Sequence, residues 1–596
     1  MAHNVSERKN LIHFLLLHPF HLARFIVKST SNLFNYLMRR KVRKIRSKSI
    51  KRNFRPAIEN SQQLYFERFP PVNRIEITNN DDFEEIHLAG RTVSSRQQID
   101  WSHINDDIED TFSLNRFGWL FTAIHTRFSK DLAQRSIEWI TNWIDSMGES
   151  FHHPAWESYS ISERLANWPF ILRVIEHFQP IDANMEKKIV STMKTHIEYL
   201  LQHLELRNEF TNNHILNNAR GLYIGGVAVA HERAVEKAKA LFIVWTPKLF
   251  HSDGMLKEGS SHYQFLLCQR FEQICLLSKF CGDDIFATFM RKWTKKIRKA
   301  RDLFNIQRSV GEWSMPLIGD ISPDYDPMWF SPFSIEGWRV IINAYAWDDY
   351  FTSCNKTTFN GLKRMCEGFY RYEQDSLTVF WHVPDGPVDV GSHSHFDVGG
   401  FVLFLKNKEI FTDSGRCSYL ANGSIGMYAK AHNCLIIDGV GPFCEDYHLN
   451  LIGAYPYQMS HTIVTKNKDD RPILSLIVDG FRRLTNPVSW KRSFSFKERA
   501  MTIHDDIKAR SIHRLTTRFI IAKGLSIEKI EEGICIKSEN WKVTMKILNF
   551  HGEWNEHFFM ERAEISRKYG CSETTLAFVV KNTIHGNHTN IYEIRW

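Results

Sequence analysis

The chain has no closely spaced cysteine pair: all ten cysteines lie after residue 267, with no CxxC and no regular spacing. That argues against a disulfide framework or a cysteine-zinc module and favours a reducing compartment. No apolar run is long enough to cross a bilayer comfortably. The opening MAHNVSERKNLIHFLLLHPFHLARFIV is broken by His13, His18, Pro19, His21 and Arg24, and no small-residue cleavage site follows it. A standard secretory signal is therefore not expected. The expected location is the cytoplasm or the inner face of a membrane, with the periplasm left open. Acidic residues are missing from 39–55, RRKVRKIRSKSIKRNFR, which carries ten Lys or Arg. Removing those ten takes the formal charge from +9 to −1, so the basic character is a local segment and not a basic fold. Such a segment suits an anionic membrane surface, a polyanion or a solvated helix face. No nucleic-acid recognition motif accompanies it, and nucleic acid is not expected as a partner.

What is present is size and aromatic content. A chain of 596 residues, 43% hydrophobic and 24% charged, has room for two or three domains with large cores. Its 17 Trp, 18 Tyr and 43 Phe are a heavy load, most of it core, although aromatic faces also line sugar-binding clefts. Three zones are read along the chain: a basic, helix-prone leader at 1–60, a helical zone at 61–365 and a β zone at 366–596. In the second, SKDLAQRSIEWITNWIDSM, MEKKIVSTMKTHIEYLLQHLEL and ERAVEKAKALFIVWTPKLF show apolar spacing of three and four. Recurring segments of this kind predict helical hairpins stacked in a bundle or toroid. In the third zone the period becomes two, in SLTVFWHV, GFVLFLKN, NCLIIDG, PILSLIVDG and LAFVVKN, which predicts an antiparallel sandwich.

Chemistry-bearing residues concentrate in three places. In GSHSHFDVGGFVLFLKNKEIFTDSGRCSYL, His393 and His395 sit two apart at the start of what reads as a strand, which would place both imidazoles on one face. Asp413 ends the next apolar run, and His432 precedes LIIDG. Imidazole and carboxylate ligands at strand ends suit a zinc-sized ion, although any one of these residues alone reads as an ordinary strand-end polar group. TNNHILNNARGLYIGG holds Asn212, Asn213, His214, Asn217, Asn218 and Arg220, a polar load that is costly at a helix start unless it caps or binds something. DGMLKEGSSHYQF contributes Glu258, His262 and Tyr263, with Tyr263 in the first turn of the following helix.

NNHILNN, DGMLKEGSSHYQF, HSHFD, TDSG and AHNCLIIDG, in this order, resemble the heparinase II/III-like polysaccharide lyases, which include oligo-alginate lyases. WESYSISERLANW at 156–168 is similar to a helical motif of that family, and the resemblance covers about residues 90–590. It implies an α+β multidomain chain: an N-terminal (α/α) toroid followed by a C-terminal antiparallel β-sandwich, with the cleft between them. It also implies β-elimination at a 4-O-linked uronic acid. Asn213 and His214 resemble the pair that neutralises the substrate carboxylate. Tyr263 resembles the tyrosine acid, which also serves as base in syn elimination, and His393 the base of anti elimination. Glu258, Arg220 and Arg416 are candidate substrate-binding residues. His395, Asp413 and His432 resemble the ligands of a structural zinc found in some members. The expected partner is an anionic, uronic-acid-containing polysaccharide, with an anionic membrane surface contacted through residues 39–55. The leader and the missing export signal depart from the family pattern.

The chemistry demands three things: a neutralised carboxylate, a base for the C5 proton and an acid for the leaving O4. A uronyl C5-epimerase shares the first half of that mechanism and stays open, as does a non-catalytic polysaccharide-binding or assembly factor. A hydrolase would need two carboxylates across the bond, drawn from Glu258, Asp253, Asp320 and Asp397, and fits less well.

Overall fold

The computed structural model describes residues 62–596 apart from 79–82, 310–311, 332–336, 346–360, 367, 375, 385, 388–392, 421–423, 446–456, 458 and 550–556. The leader and its basic run at 39–55 lie outside the described residues. Ten α-helices are found among those described: α1 (Ile108–Arg116), α2 (Gly118–Thr126), α3 (Lys130–Met147), α4 (Ser158–Phe178), α5 (Ala183–Gln202), α6 (His214–Ala228), α7 (Glu232–Leu249), α8 (Ser261–Phe280), α9 (Asp284–Asp302) and α10 (Trp338–Ala344). None of the described helices is long and apolar enough to cross a membrane.

The sequence dictates these helices by its spacing and caps. In α3, Leu132, Ala133, Ile137, Ile140, Trp143 and Met147 fall on one buried stripe, and the Ser129 hydroxyl accepts the Leu132 N–H at 3.0 Å to start it. Helix α4 is buried on almost every side. Among its buried polar residues, Arg164 donates to the Asn115 and Ala155 carbonyls and lies over the Trp143 ring.

Among the described residues the five-stranded sheet starts with its outer strand Gly361–Cys366, upstream of residue 366. Phe369–Gln374, Leu377–His382, Phe401–Leu405 and Lys408–Phe411 complete that sheet in space. A nine-stranded sheet runs Ser526–Ile530, Gly533–Ser538, Trp541–Ile547, His588–Arg595, Ala500–Lys508, Ser489–Lys497, Pro472–Val478, Met459–Lys466 and Gly386–Pro387. A four-stranded sheet orders Leu435–Ile437, Ile512–Ile520, Cys571–His585 and Phe558–Lys568. All pairings in the three sheets are antiparallel. Alternation along Ala500–Lys508 turns Met501, Ile503 and Ile507 inward, against Trp490, Phe494 and Tyr592.

A separate apolar cluster joins the two halves. Phe265 of α8, Phe304 and the Met315–Ile321 segment pack on Phe369, Phe380, Val402 and Phe404 of the five-stranded sheet. This wedge lies in sequence directly beside the loops that carry the polar residues of interest.

One buried titratable group gives the helical half a pH dependence. His125 Nδ1–H donates to the Phe121 carbonyl at 2.7 Å, and its Nε2 accepts from the Tyr345 hydroxyl at 2.7 Å. Burial lowers its pKa from 6.5 to about 4, against the opposing pull of the Phe121 carbonyl. Between those two values the unfolded chain takes up a proton that the folded chain refuses, so stability falls as pH drops through that window and loses nothing more from this residue below it. The full effect is on the order of 3 kcal/mol. Urea unfolding at neutral and acid pH is expected to show a smaller acid loss in His125→Gln than in wild type. An equal loss in both would contradict this.

Candidate functional site

Three loops meet where the halves join, and two glycines let them meet. Gly259 has φ +70°, and a Cβ there would lie 2.6 Å from the Ser394 Cβ. Gly319 has φ +78°, and a Cβ there would lie 2.6 Å from the His393 carbonyl oxygen. Hydrogen bonds then stitch the loops: Ser261 N–H to the Ile318 carbonyl at 2.9 Å, the Ser260 hydroxyl to the Asp320 carbonyl at 2.7 Å, and Asp320 N–H to the His393 carbonyl at 2.9 Å. The Ser260 hydroxyl also accepts the Tyr263 N–H at 3.2 Å, capping α8 and fixing Tyr263 in its first turn.

Asn213, Glu258, Tyr263 and His393, all buried, come together here. Asn213 precedes α6; its backbone N–H and its side-chain Nδ2 donate to the two oxygens of Glu258 at 2.7 and 2.6 Å. The same Nδ2 lies 3.3 Å from His393 Nε2, which is itself 3.5 Å from Glu258 Oε2. His393 Nδ1 is 3.2 Å from Asp320 Oδ2. With Asp320 accepting at Nδ1, the imidazole carries its proton there and leaves an Nε2 lone pair facing the Asn213 amide. The Tyr263 ring stacks on this imidazole with centroids 3.5 Å apart and planes 15° from parallel. Its hydroxyl is 2.9 Å from the Tyr419 hydroxyl. Burial pushes the Tyr263 phenol well above its usual pKa; the Tyr419 bond pulls the other way, and Asp320 adds to the rise. Arg416 reaches Asp320 Oδ2 at 3.3 Å and lies 4.6 Å over the Tyr419 ring, so it closes the same cluster from the β half.

His395, Asp413 and His432 form a second, adjoining group whose ligand atoms lie within 4.8 Å of one another, all buried. The two Nδ1 atoms face Asp413, at 3.7 Å from His395 to Oδ1 and 3.3 Å from His432 to Oδ2, yet neither completes a hydrogen bond. Each ring is held from behind: His395 Nε2 by Asp320 Oδ1 at 3.0 Å, His432 Nε2 by the Gly426 carbonyl at 2.5 Å. Outer partners of this kind put the proton on Nε2 and leave Nδ1 free for a cation. Burial disfavours charge on His395, but Asp320 and Asp413 outweigh it and lift its pKa to about 10. The pocket stabilises positive charge, and the two orphaned nitrogens with one carboxylate fit a zinc-sized ion.

Several expectations need correcting. Residues 393–400 form a loop, not the start of a strand, which begins at Phe401. Both imidazoles nevertheless reach one partner, because Asp320 offers each of them an oxygen. Arg220, expected to touch substrate, is 1% exposed and points into the helical core, donating to Gln273 at 2.7 Å and Glu163 at 2.9 Å. Glu258, also expected at the substrate, has both oxygens occupied by Asn213. His214 separates from its neighbour: its Nδ1 binds Glu205 at 2.9 Å, and its ring lies 4.7 Å from that of Tyr159. Burial opposes protonation of His214, but Glu205 prevails and raises its pKa. Sequence reasoning gave Asp320 only a place among hydrolase carboxylates and passed over Tyr419. The one local hint for Asp320 is its place in IGDISPD, a polar break after an apolar run.

Gly319→Ala tests the loop junction directly. The added methyl meets the His393 carbonyl in a positive-φ backbone, so a loss of about 1–3 kcal/mol is expected in denaturant unfolding. A variant as stable as wild type would show that the junction yields.

Two family descriptions match the sequence: Heparinase II/III N-terminus over residues 25–338 and Heparinase II/III-like, C-terminal over residues 367–575. No curated protein matches this chain in sequence. Among solved structures, one titled Crystal Structure of Heparinase III superposes with a TM-score of 0.63 at 15% identity, covering 84% of this chain and 80% of that one. A mutant of heparan sulfate lyase HepC from Pedobacter heparinus superposes with a TM-score of 0.57 at 14% identity, covering 86% and 81%. At such identities these likenesses speak for the shared fold, a helical N-terminal domain followed by an antiparallel β domain. With a family match in each half, the chain belongs to the heparinase II/III family.

Proposed function

We propose that the protein is a polysaccharide lyase that cleaves a 4-O-linked uronic-acid glycan by β-elimination. The observation that carries this reading is the contact of the Tyr263 phenol with the His393 imidazole, one from each half, inside a buried polar cluster. Elimination needs a base and an acid at one locus. His393 suits the base: Asp320 holds its Nδ1–H, which leaves Nε2 to take the C5 proton, and Glu258 lies 3.5 Å from that nitrogen to stabilise the imidazolium once formed. Tyr263 suits the acid, because its raised pKa keeps the phenol protonated and ready to serve the leaving O4. Asn213 stands beside His393, with its Oδ1 buried and unpartnered and its Nδ2 directed at Glu258 and His393. Charge on the substrate carboxylate would be met by this amide and by Arg416, which closes the same cluster.

His395, Asp413 and His432 would hold a structural zinc, which when bound supplies charge balance and a fixed geometry for their loops. His393, two residues away, would be oriented by that frame and by Asp320. An anionic uronic-acid polysaccharide is the proposed substrate, acted on in the cytoplasm or at the inner membrane face.

Ultraviolet absorbance of the unsaturated uronate, followed over a panel of uronic-acid polysaccharides, tests the reaction. Tyr263→Phe and His393→Ala are each expected to lower the rate about a hundredfold or more. Solvent deuterium at C5 with no unsaturation would replace elimination by epimerisation. Metal analysis of the purified protein is expected to find stoichiometric zinc that His432→Ala loses together with thermal stability. Metal-free wild type of unchanged stability would remove zinc from the account.

A further inference from the structure

Helices α7 and α9 run side by side in the same direction. Lys239 pairs with Asp283 at 2.8 Å, Phe242 and Phe286 have centroids 6.0 Å apart, Phe250 lies 6.5 Å from Trp293, and the Lys296 ammonium donates to the Ser252 carbonyl at 2.7 Å. Their outward faces form one surface of unusual composition. From Ile285 to Arg301 there is no acidic residue. The cations on the inner side, Arg298 and Arg301, both pair with buried Glu272, and Arg301 pairs with Asp302 as well. Arg291, Lys292, Lys295 and Lys299, all exposed, have no acidic partner among the described residues. Like charges one turn apart repel, so this row does nothing for the helix that bears it. Beside it stand bare aliphatic side chains: Ile285 is 89% exposed, Ile243 50% and Val244 47%. Trp245 and Trp293 lie half-buried, with Lys248 and Lys296 at 4.4 and 5.0 Å over their rings.

We propose that this α7–α9 face docks the protein on an anionic phospholipid surface, with the cations meeting headgroup phosphates while Ile243, Val244 and Ile285 enter the interfacial layer. Charge alone would equally suit a soluble polyanion. The exposed branched aliphatics decide between the two, since a hydrated sugar polymer rewards nothing in them and a membrane interface does. The surface uses no residue of the Asn213–Tyr263–His393 cluster and does not rest on the lyase reading.

Sedimentation of the full-length protein with phosphatidylcholine vesicles, with and without phosphatidylglycerol, tests it. Binding is expected only to the mixed vesicles and is expected to weaken as salt rises. Lys292→Glu/Lys295→Glu/Lys299→Glu is expected to weaken it at least about tenfold, and Ile243→Ser/Val244→Ser severalfold, both with unchanged thermal unfolding because the altered side chains are exposed. Either variant binding like wild type overturns the proposal, as does a wild type that ignores the vesicles. Binding to a soluble polyuronate that the charge reversal abolishes while the serine pair leaves it intact would assign the cations to polysaccharide and likewise overturn it.

Discussion

Asp320 carries a buried negative charge that no group in its own loop neutralises. Its two oxygens are taken by His393, His395 and Arg416, all from the β half. Burial would raise the pKa of this carboxyl, but the two imidazoles and the guanidinium overcome that and hold it well below the ordinary range. An uncompensated carboxylate in such a place costs several kcal/mol. The helical half is therefore compatible with one registration of the β half, the one that brings these three donors to Asp320. The apolar wedge of Phe265, Phe304, Phe369 and Phe404 supplies attraction, which is non-directional, and the carboxylate supplies the direction.

That arrangement gives neighbouring groups different environments. Tyr263 is surrounded by low dielectric and by negative charge, both of which favour its neutral form, whereas His393 has a carboxylate on each side of its ring. Two rings in face contact thus meet different surroundings. The adjoining His395–Asp413–His432 group shares Asp320 with His393, so a change of charge in one cluster is felt in the other through a single side chain.

The sequence read well wherever one period governed a segment. The stripe in SKDLAQRSIEWITNWIDSM became α3, and the alternation in PILSLIVDG became the strand Pro472–Val478, because in each the buried face is set by local spacing. The family motifs located Asn213, Tyr263 and His393 and the geometry brought them together, but it assigned Arg220 and His214 to other partners. Their types gave no warning: an arginine in a polar helix start looks the same whether it meets substrate or Glu163. Asp320 was hard to see for a different reason. It lies 73 and 75 residues from the histidines it binds, in a loop whose own composition is unremarked, and only the docking of the two halves gives it a role.

The glycine junction has a consequence for how such a chain can change over generations. Gly259 and Gly319 leave room for Ser394 and the His393 carbonyl at distances where any larger residue forces the loops to shift. Each half has its own core, and each could in principle drift or be exchanged as a module. The loops at 258–261, 316–320 and 393–395 forbid it: a helical half transplanted onto a foreign β partner would keep its helices and lose the fit of three short segments. Recombination between relatives is then fruitful only when all three segments travel together, although they are scattered over more than a hundred residues of sequence.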